Sequence, residues 1–281
     1  MGNIRLLASS LFALTSLVAC GDDGGANTPD ALTIIDAPPV DQAPPIDQPP
    51  PITYDLSCHN NTAPTTIATT VTVSGTTQAA NIISQSIGPT DGVTLVACKG
   101  DCVGPNNLGQ TGPTMANGQF TTPALATNGT ALDGYLKATK AGQWDTYLYP
   151  HAPLAQSLTG APVLIINQQL VGLIGMFADP QVAGNGILGV AVTDCATPPV
   201  GISGATIAVT GTGGDVGDPA FDVGSLAGDM AAGTYLITNV PPGNVTVTAS
   251  YSQNGTNYTF LVNGVTSYAD ALTTAQVRPG Y

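Results

Sequence analysis

From Thr65 onward the chain is written in short runs in which apolar and polar residues alternate. Ile67, Thr69, Val71 and Val73 share one side of the first run, and Val93, Leu95 and Ala97 one side of the next. A period of two is the mark of a half-buried strand. Asn117-Gly118 is a turn signal ahead of Phe120. Trp144, Thr146 and Leu148 then point one way while Asp145, Tyr147 and Tyr149 point the other. A second strand-rich block begins near Gly186. Leu188, Val190 and Val192 alternate, Pro198-Pro199 interrupts, and Ala205, Ile207 and Val209 follow. Val245, Val247, Ala249 and Tyr251 share a face, and Asn254-Gly255 turns the chain back into Tyr258, Phe260 and Val262. Between the blocks the pattern changes. Leu164, Ile165, Gln168, Val171, Leu173, Ile174 and Phe177 fit a helical stripe within Leu164 to Ala178, with a stop at Asp179-Pro180; a buried strand pair is the alternative.

Composition supports strands over helices. The 281 residues include 34 Gly and 23 Pro, and only 8% are charged. All 18 acidic residues are Asp, against 5 Lys and Arg, so the net charge is −13. This excludes a basic nucleic-acid surface and argues against helix bundles. The charge is unevenly placed. Seven aspartates lie between Asp22 and Asp55, within a Pro-rich stretch holding the degenerate repeat Asp36-Ala-Pro-Pro-Val, Asp41-Gln-Ala-Pro-Pro-Ile and Asp47-Gln-Pro-Pro-Pro. Such a segment reads as an extended, self-repelling tether able to reach about 100 Å.

Arg5 precedes an apolar run from Leu6 to Val18, which has the form of a secretory signal and is short for a membrane span. The Leu17-Val18-Ala19-Cys20 motif that ends it resembles a bacterial lipobox. That resemblance implies cleavage before Cys20 and lipid attachment to it. Gly21 does not resemble the usual inner-membrane retention signal, so an outer-membrane or surface location is expected. Export permits oxidation of Cys58, Cys98, Cys102 and Cys195, which allow three pairings. The short spacing favours Cys98 with Cys102, leaving Cys58 to pair with Cys195 across two modules; a zinc site is the rival.

Gly189-Val-Ala-Val-Thr-Asp-Cys, Gly204-Ala-Thr-Ile and Gly233-Thr-Tyr-Leu-Ile-Thr-Asn-Val-Pro-Pro-Gly-Asn-Val-Thr-Val-Thr-Ala resemble a carboxypeptidase regulatory-like domain. Val71-Thr-Val-Ser-Gly, Gly92-Val-Thr-Leu-Val-Ala and Gly118-Gln-Phe resemble it in the first block, without the Pro-Pro-Gly turn. The resemblance implies a mainly β protein with two small antiparallel, prealbumin-like Greek-key sandwiches and no catalytic residues of the family's own. The expected organisation is a signal peptide (1–19), a disordered tether (20–55), a first sandwich (56–160), a helical connector (161–185) and a second sandwich (186–281).

Candidate chemistry is sparse. There are two histidines, His59 and His151, and no Glu, which opposes the usual zinc hydrolases. No Gly-x-Ser-x-Gly elbow is present. Asp215, Asp218 and Asp222, with Asp229 beyond, offer oxygen ligands for Ca²⁺, with a solvated acidic loop as the simpler reading. Trp144 is expected in the core, whereas Tyr147 and Tyr149 are candidates to stack on a ligand such as a sugar. The functional expectation is a non-enzymatic envelope lipoprotein with a protein or polysaccharide partner. A carbohydrate-binding module is the alternative, and a hydrolase with a site assembled in three dimensions is the third reading.

Overall fold

The computed structural model describes residues 52–81, 86–177, 179–224 and 232–281. The signal, Cys20, nearly all of the tether, Ala178 and Asp229 lie outside the described residues. The strands follow the alternation. The first block holds β1 (Thr70–Val71), β2 (Val73–Asn81), β3 (Ser86–Pro89), β4 (Thr94–Cys98), β5 (Asn107–Thr111), β6 (Gln119–Thr121), β7 (Leu125–Ala126), β8 (Tyr135–Thr139), β9 (Asp145–Tyr149) and β10 (Leu158–Ile165). After α1 (Gln168–Phe177) come β11 (Gly186–Val192), β12 (Thr206–Gly211), β13 (Gly214–Asp215), β14 (Phe221–Asp222) and β15 (Thr234–Val240). The chain closes with β16 (Gly243–Gln253), β17 (Thr256–Thr259), β18 (Asn263–Ser267) and β19 (Ala271–Val277).

The molecule is mainly β, as expected, but the two blocks share a sheet. Eight strands run in the order β14-β15-β11-β19-β9-β8-β4-β5. β19 lies parallel to both β11 and β9, with Thr273 opposite Leu188 and Tyr147. A third parallel pair joins β10 to β2. The remaining named pairs are antiparallel.

Register explains how one sheet serves two cores. Paired residues lie on the same face, and successive residues on opposite faces. Leu148 is opposite Thr274, and Tyr149 opposite Ala275. On the Leu148 face, Leu95, Ala97, Leu136 and Ala138 pack against Val71, Val73, Phe120, Val163 and Ile165. On the Ala275 face, Leu188, Val190, Tyr235 and Ile237 pack against Val209, Val245, Val247, Ala249 and Val265 of a five-stranded sheet. The two sandwiches therefore lie on opposite faces of the shared sheet, offset along it. Its central strands are covered on both sides, as the burial of five consecutive residues in β11 requires.

The expected connector begins later than its hydrophobic stripe suggested. Leu164 and Ile165 belong to β10, where Ala161, Val163 and Ile165 alternate inward. Pro162 is tolerated there because β10 is an edge strand. Asn167 starts the helix, its side-chain oxygen accepting the Leu170 N–H at 2.8 Å. Val171 packs with Ile166, Ile187 and Leu272. Trp144 packs against that cluster half-buried and donates its indole N–H to Gln168 at 2.9 Å, so its ring lies at the edge of the core and not within it.

The segment just after the Pro-rich stretch belongs with the second block. Tyr54 and Leu56 are buried in the core of the second sandwich. Cys58 is bonded to Cys195, with 5.6 Å between Cα atoms. The bridge thus pins a strap, residues 54–58, onto the second sandwich.

Candidate functional site

Two places gather polar and aromatic side chains around the four cysteines, and Tyr147 and Tyr149 lie in the second of them. The first is the strap. Its anchor is Asp194, 2% exposed, whose carboxylate accepts the backbone N–H groups of Asp55 at 3.1 Å, Ala196 at 3.1 Å and Val200 at 2.8 Å. Around it, the Cys195 N–H donates to the Asp55 carbonyl, and Gln253 brackets Tyr54 by accepting its N–H and donating to its carbonyl. The Tyr54 ring meets Tyr251 edge-on at 5.4 Å, and its hydroxyl accepts the Ser203 N–H. Gly280 completes the seat, since a Cβ there would collide with the Cys58 carbonyl. Asp194 was not singled out in the sequence, where only its place before Cys195 marked it.

The second place is a tyrosine cluster on the Ala275 face, beside the second sandwich. Tyr147 and Tyr149 share a face, as the alternation predicts, and Tyr135 of β8 and Tyr268 join them. Tyr147 stacks on Tyr268 at 3.7 Å between centroids and 12° between planes. Tyr149 stacks on Tyr135 at 4.9 Å. Tyr268 donates its hydroxyl to that of Tyr135, which donates to the Gly100 carbonyl at 2.9 Å. The ammonium of Lys137 sits 5.5 Å from the Tyr147 centroid and 3.0 Å from an Asp145 oxygen. The ring faces that a sugar would need are therefore turned on one another, and Tyr147 is only 7% exposed. Tyr147 and Tyr149, candidates to stack on a sugar, pack on Tyr268 and Tyr135 instead, because gathering four rings removes more apolar surface from water than displaying two. Burial raises all four phenols, Tyr268 to about 12. Burial alone would lower Lys137, but Asp145 and Tyr147 outweigh it and hold the ammonium above its ordinary value. The cluster is thus uncharged at its phenols at neutral pH. The Cys98–Cys102 bridge packs against it.

Both disulfides match the favoured pairing and displace the zinc reading, since a bonded sulfur is no thiolate ligand. The span of the long bridge differs from expectation, because Cys58 belongs to the strap. The acidic loop does not converge. Asp218 accepts from the Thr238 hydroxyl at 2.7 Å and the Asn239 amide at 2.5 Å. Asp222 accepts the Gly224 N–H at 2.9 Å, and Asp215 is exposed on β13. Among the described residues no group of three or more His, Cys, Asp or Glu is placed to hold a metal ion.

His151 sits where β9 ends, with its ring 6.0 Å from that of Tyr281. Burial, and then the nearby charge of Arg278, lower its pKa from 6.5 to about 4. The unfolded chain therefore binds the proton more readily, and stability rises with pH across that window. Chemical denaturation is expected to give a folding free energy that falls as pH drops from 6.5 toward 4. His151→Phe should flatten that slope, and an unchanged slope would refute the assignment.

No protein-family model and no curated protein matches the chain. Among solved structures, it is similar to the minor pilin GBS52 of Streptococcus agalactiae, with 13% identity, 74% of this chain and 95% of that one covered, and a TM-score of 0.26. It is also similar to a streptococcal ancillary pilin, at 14% identity with 75% and 62% covered and a TM-score of 0.22. The Bacillus anthracis TIE protein is similar at 9% identity, with 75% and 34% covered and a TM-score of 0.22. These likenesses are too distant to bear on function.

Proposed function

We propose that the chain is a non-enzymatic module of the bacterial cell envelope, held by a lipid on Cys20 and lifted on the Pro/Asp-rich tether (20–55) after removal of residues 1–19. Its outer-membrane sandwiches are presented to a protein or polysaccharide partner. The observation that carries this reading is the strap. Where the tether runs into the fold, the chain is held by a disulfide, a buried carboxylate and the Tyr54 ring. A displayed module takes its tension at that point, and a covalent lock there keeps it folded under pull. Lipobox spacing and the position of Cys20 support the anchor. Cys20→Ala is expected to move the protein from membrane to soluble fractions of the producing cell; retention in the membrane would overturn the anchor. Carbohydrate binding is a second reading, favoured by an uncharged groove on the five-stranded sheet.

A further inference from the structure

We infer that this groove, across β12, β16 and β18, is a subsite for a neutral saccharide; the inference deepens the carbohydrate reading and is independent of the lipid anchor. The groove is open to solvent, offers about 470 Å³, and is lined mainly by Thr210, Thr212, Asn244, Thr246, Gly264 and Thr266. That volume is in the range of small-ligand sites.

Its shape comes from register. Thr210 is opposite Thr246, Thr246 is opposite Gly264, and Asn244 is opposite Thr266. Hydroxyls therefore stand on adjacent strands around one missing side chain. Gly264 has no backbone need to be glycine. Its φ is not in the left-handed range, and a Cβ there would meet nothing within 4 Å. What the glycine provides is the depression itself.

The chemistry of the lining selects the ligand. β16 is hydrogen-bonded to β12 on one side and β18 on the other, so its main chain has no free edge for a peptide strand. What remains are hydroxyls, each a donor and acceptor, and a side-chain amide. The Thr266 hydroxyl donates to Asn244 Oδ1 at 3.0 Å, which fixes the amide and leaves its N–H groups for a ligand oxygen. This is the vocabulary of a polyol. No lining residue is charged, and Thr210 is paired with Asp215, whose carboxylate lies on the same face at the groove's β13 side. A carboxylate accepts hydrogen bonds from sugar hydroxyls and repels uronates and other anions.

The test is retardation of the full chain in native gels cast with soluble neutral glucans, mannans, galactans or chitin oligomers, with pectate as the anionic comparison. At least one neutral glycan is expected to retard the protein and pectate is not. Gly264→Val, which fills the depression with a strand-favouring side chain, and Thr246→Val, which removes a hydroxyl, should each weaken binding about fivefold or more. Both variants are to be checked for an unchanged unfolding midpoint; if one fails to fold, the other decides. The proposal is overturned by no retardation across the neutral panel, by equal retardation in pectate, or by undiminished binding in the folded variants. Membrane fractionation of the Cys20 variant is unaffected by any of these results.

Discussion

Replacing Cys58 and Cys195 together with alanine is expected to cost about 3–5 kcal/mol of folding stability. The bond closes a loop of 137 residues, and the entropy removed from the unfolded chain grows with the logarithm of that length. Cys98 and Cys102 are only 4 residues apart, so removing their bond should cost about 2 kcal/mol. Urea titration of the two double variants reads the contrast. The long-loop variant should also gain protease sensitivity at residues 52–61, because only the burial of Tyr54 and Leu56 and the hydrogen bonds to Asp55 and Tyr54 then hold the strap. Equal losses for the two bonds, or a loss below about 1 kcal/mol for the long one, would show that the strap is not pinned by its bridge.

Asp194→Ala should be comparably damaging, at about 3–5 kcal/mol. The side chain is buried and accepts three backbone N–H groups, from Asp55, Ala196 and Val200. Each buried donor left without a partner costs about 1–3 kcal/mol, and water entering the vacated space recovers part of the sum. Asp194→Asn should lose less, since one carbonyl oxygen remains as an acceptor. Asp194 and the Cys58 bridge hold the same strap, so the two losses should not add. Once the bridge is gone, removing Asp194 costs less, and a double-mutant cycle measures the difference. Strict additivity would mean that they secure separate pieces of chain.

The faces of individual strands were legible in the sequence. Thr146 and Leu148 on one side, with Tyr147 and Tyr149 on the other, is what β9 shows, and Trp144 just before it packs on the Leu148 side. Local alternation is set by backbone geometry and needs no partner. What lies across each face was not legible. Tyr268 meets Tyr147 from more than a hundred residues away, and nothing near Tyr147 specifies it. The same holds for the parallel pairing of β9 with β19. The strap had a local signal in Tyr54, Leu56 and Cys58, an apolar period of two that continues straight out of the Pro-rich run and blends with it. The groove left almost no trace, because one glycine among thirty-four becomes a depression only when Thr246 and Thr266 stand beside it.

The position of β19 carries a consequence for the order in which the protein forms. It follows every other named strand in the chain, yet it sits between β11 and β9 in the shared sheet. Until it arrives, the two parts of the shared sheet have no strand between them, and the pairings that join them have long sequence separations. Closure of such loops is slow. A chain emerging from its amino end therefore stays incompletely folded until β19 is delivered. The completed sheet then acts as a check that the chain has been made as far as β19. Chains truncated before Ala271 should accumulate as partly ordered species with unpaired edges at β11 and β9, the kind of surface that proteases and chaperones recognise.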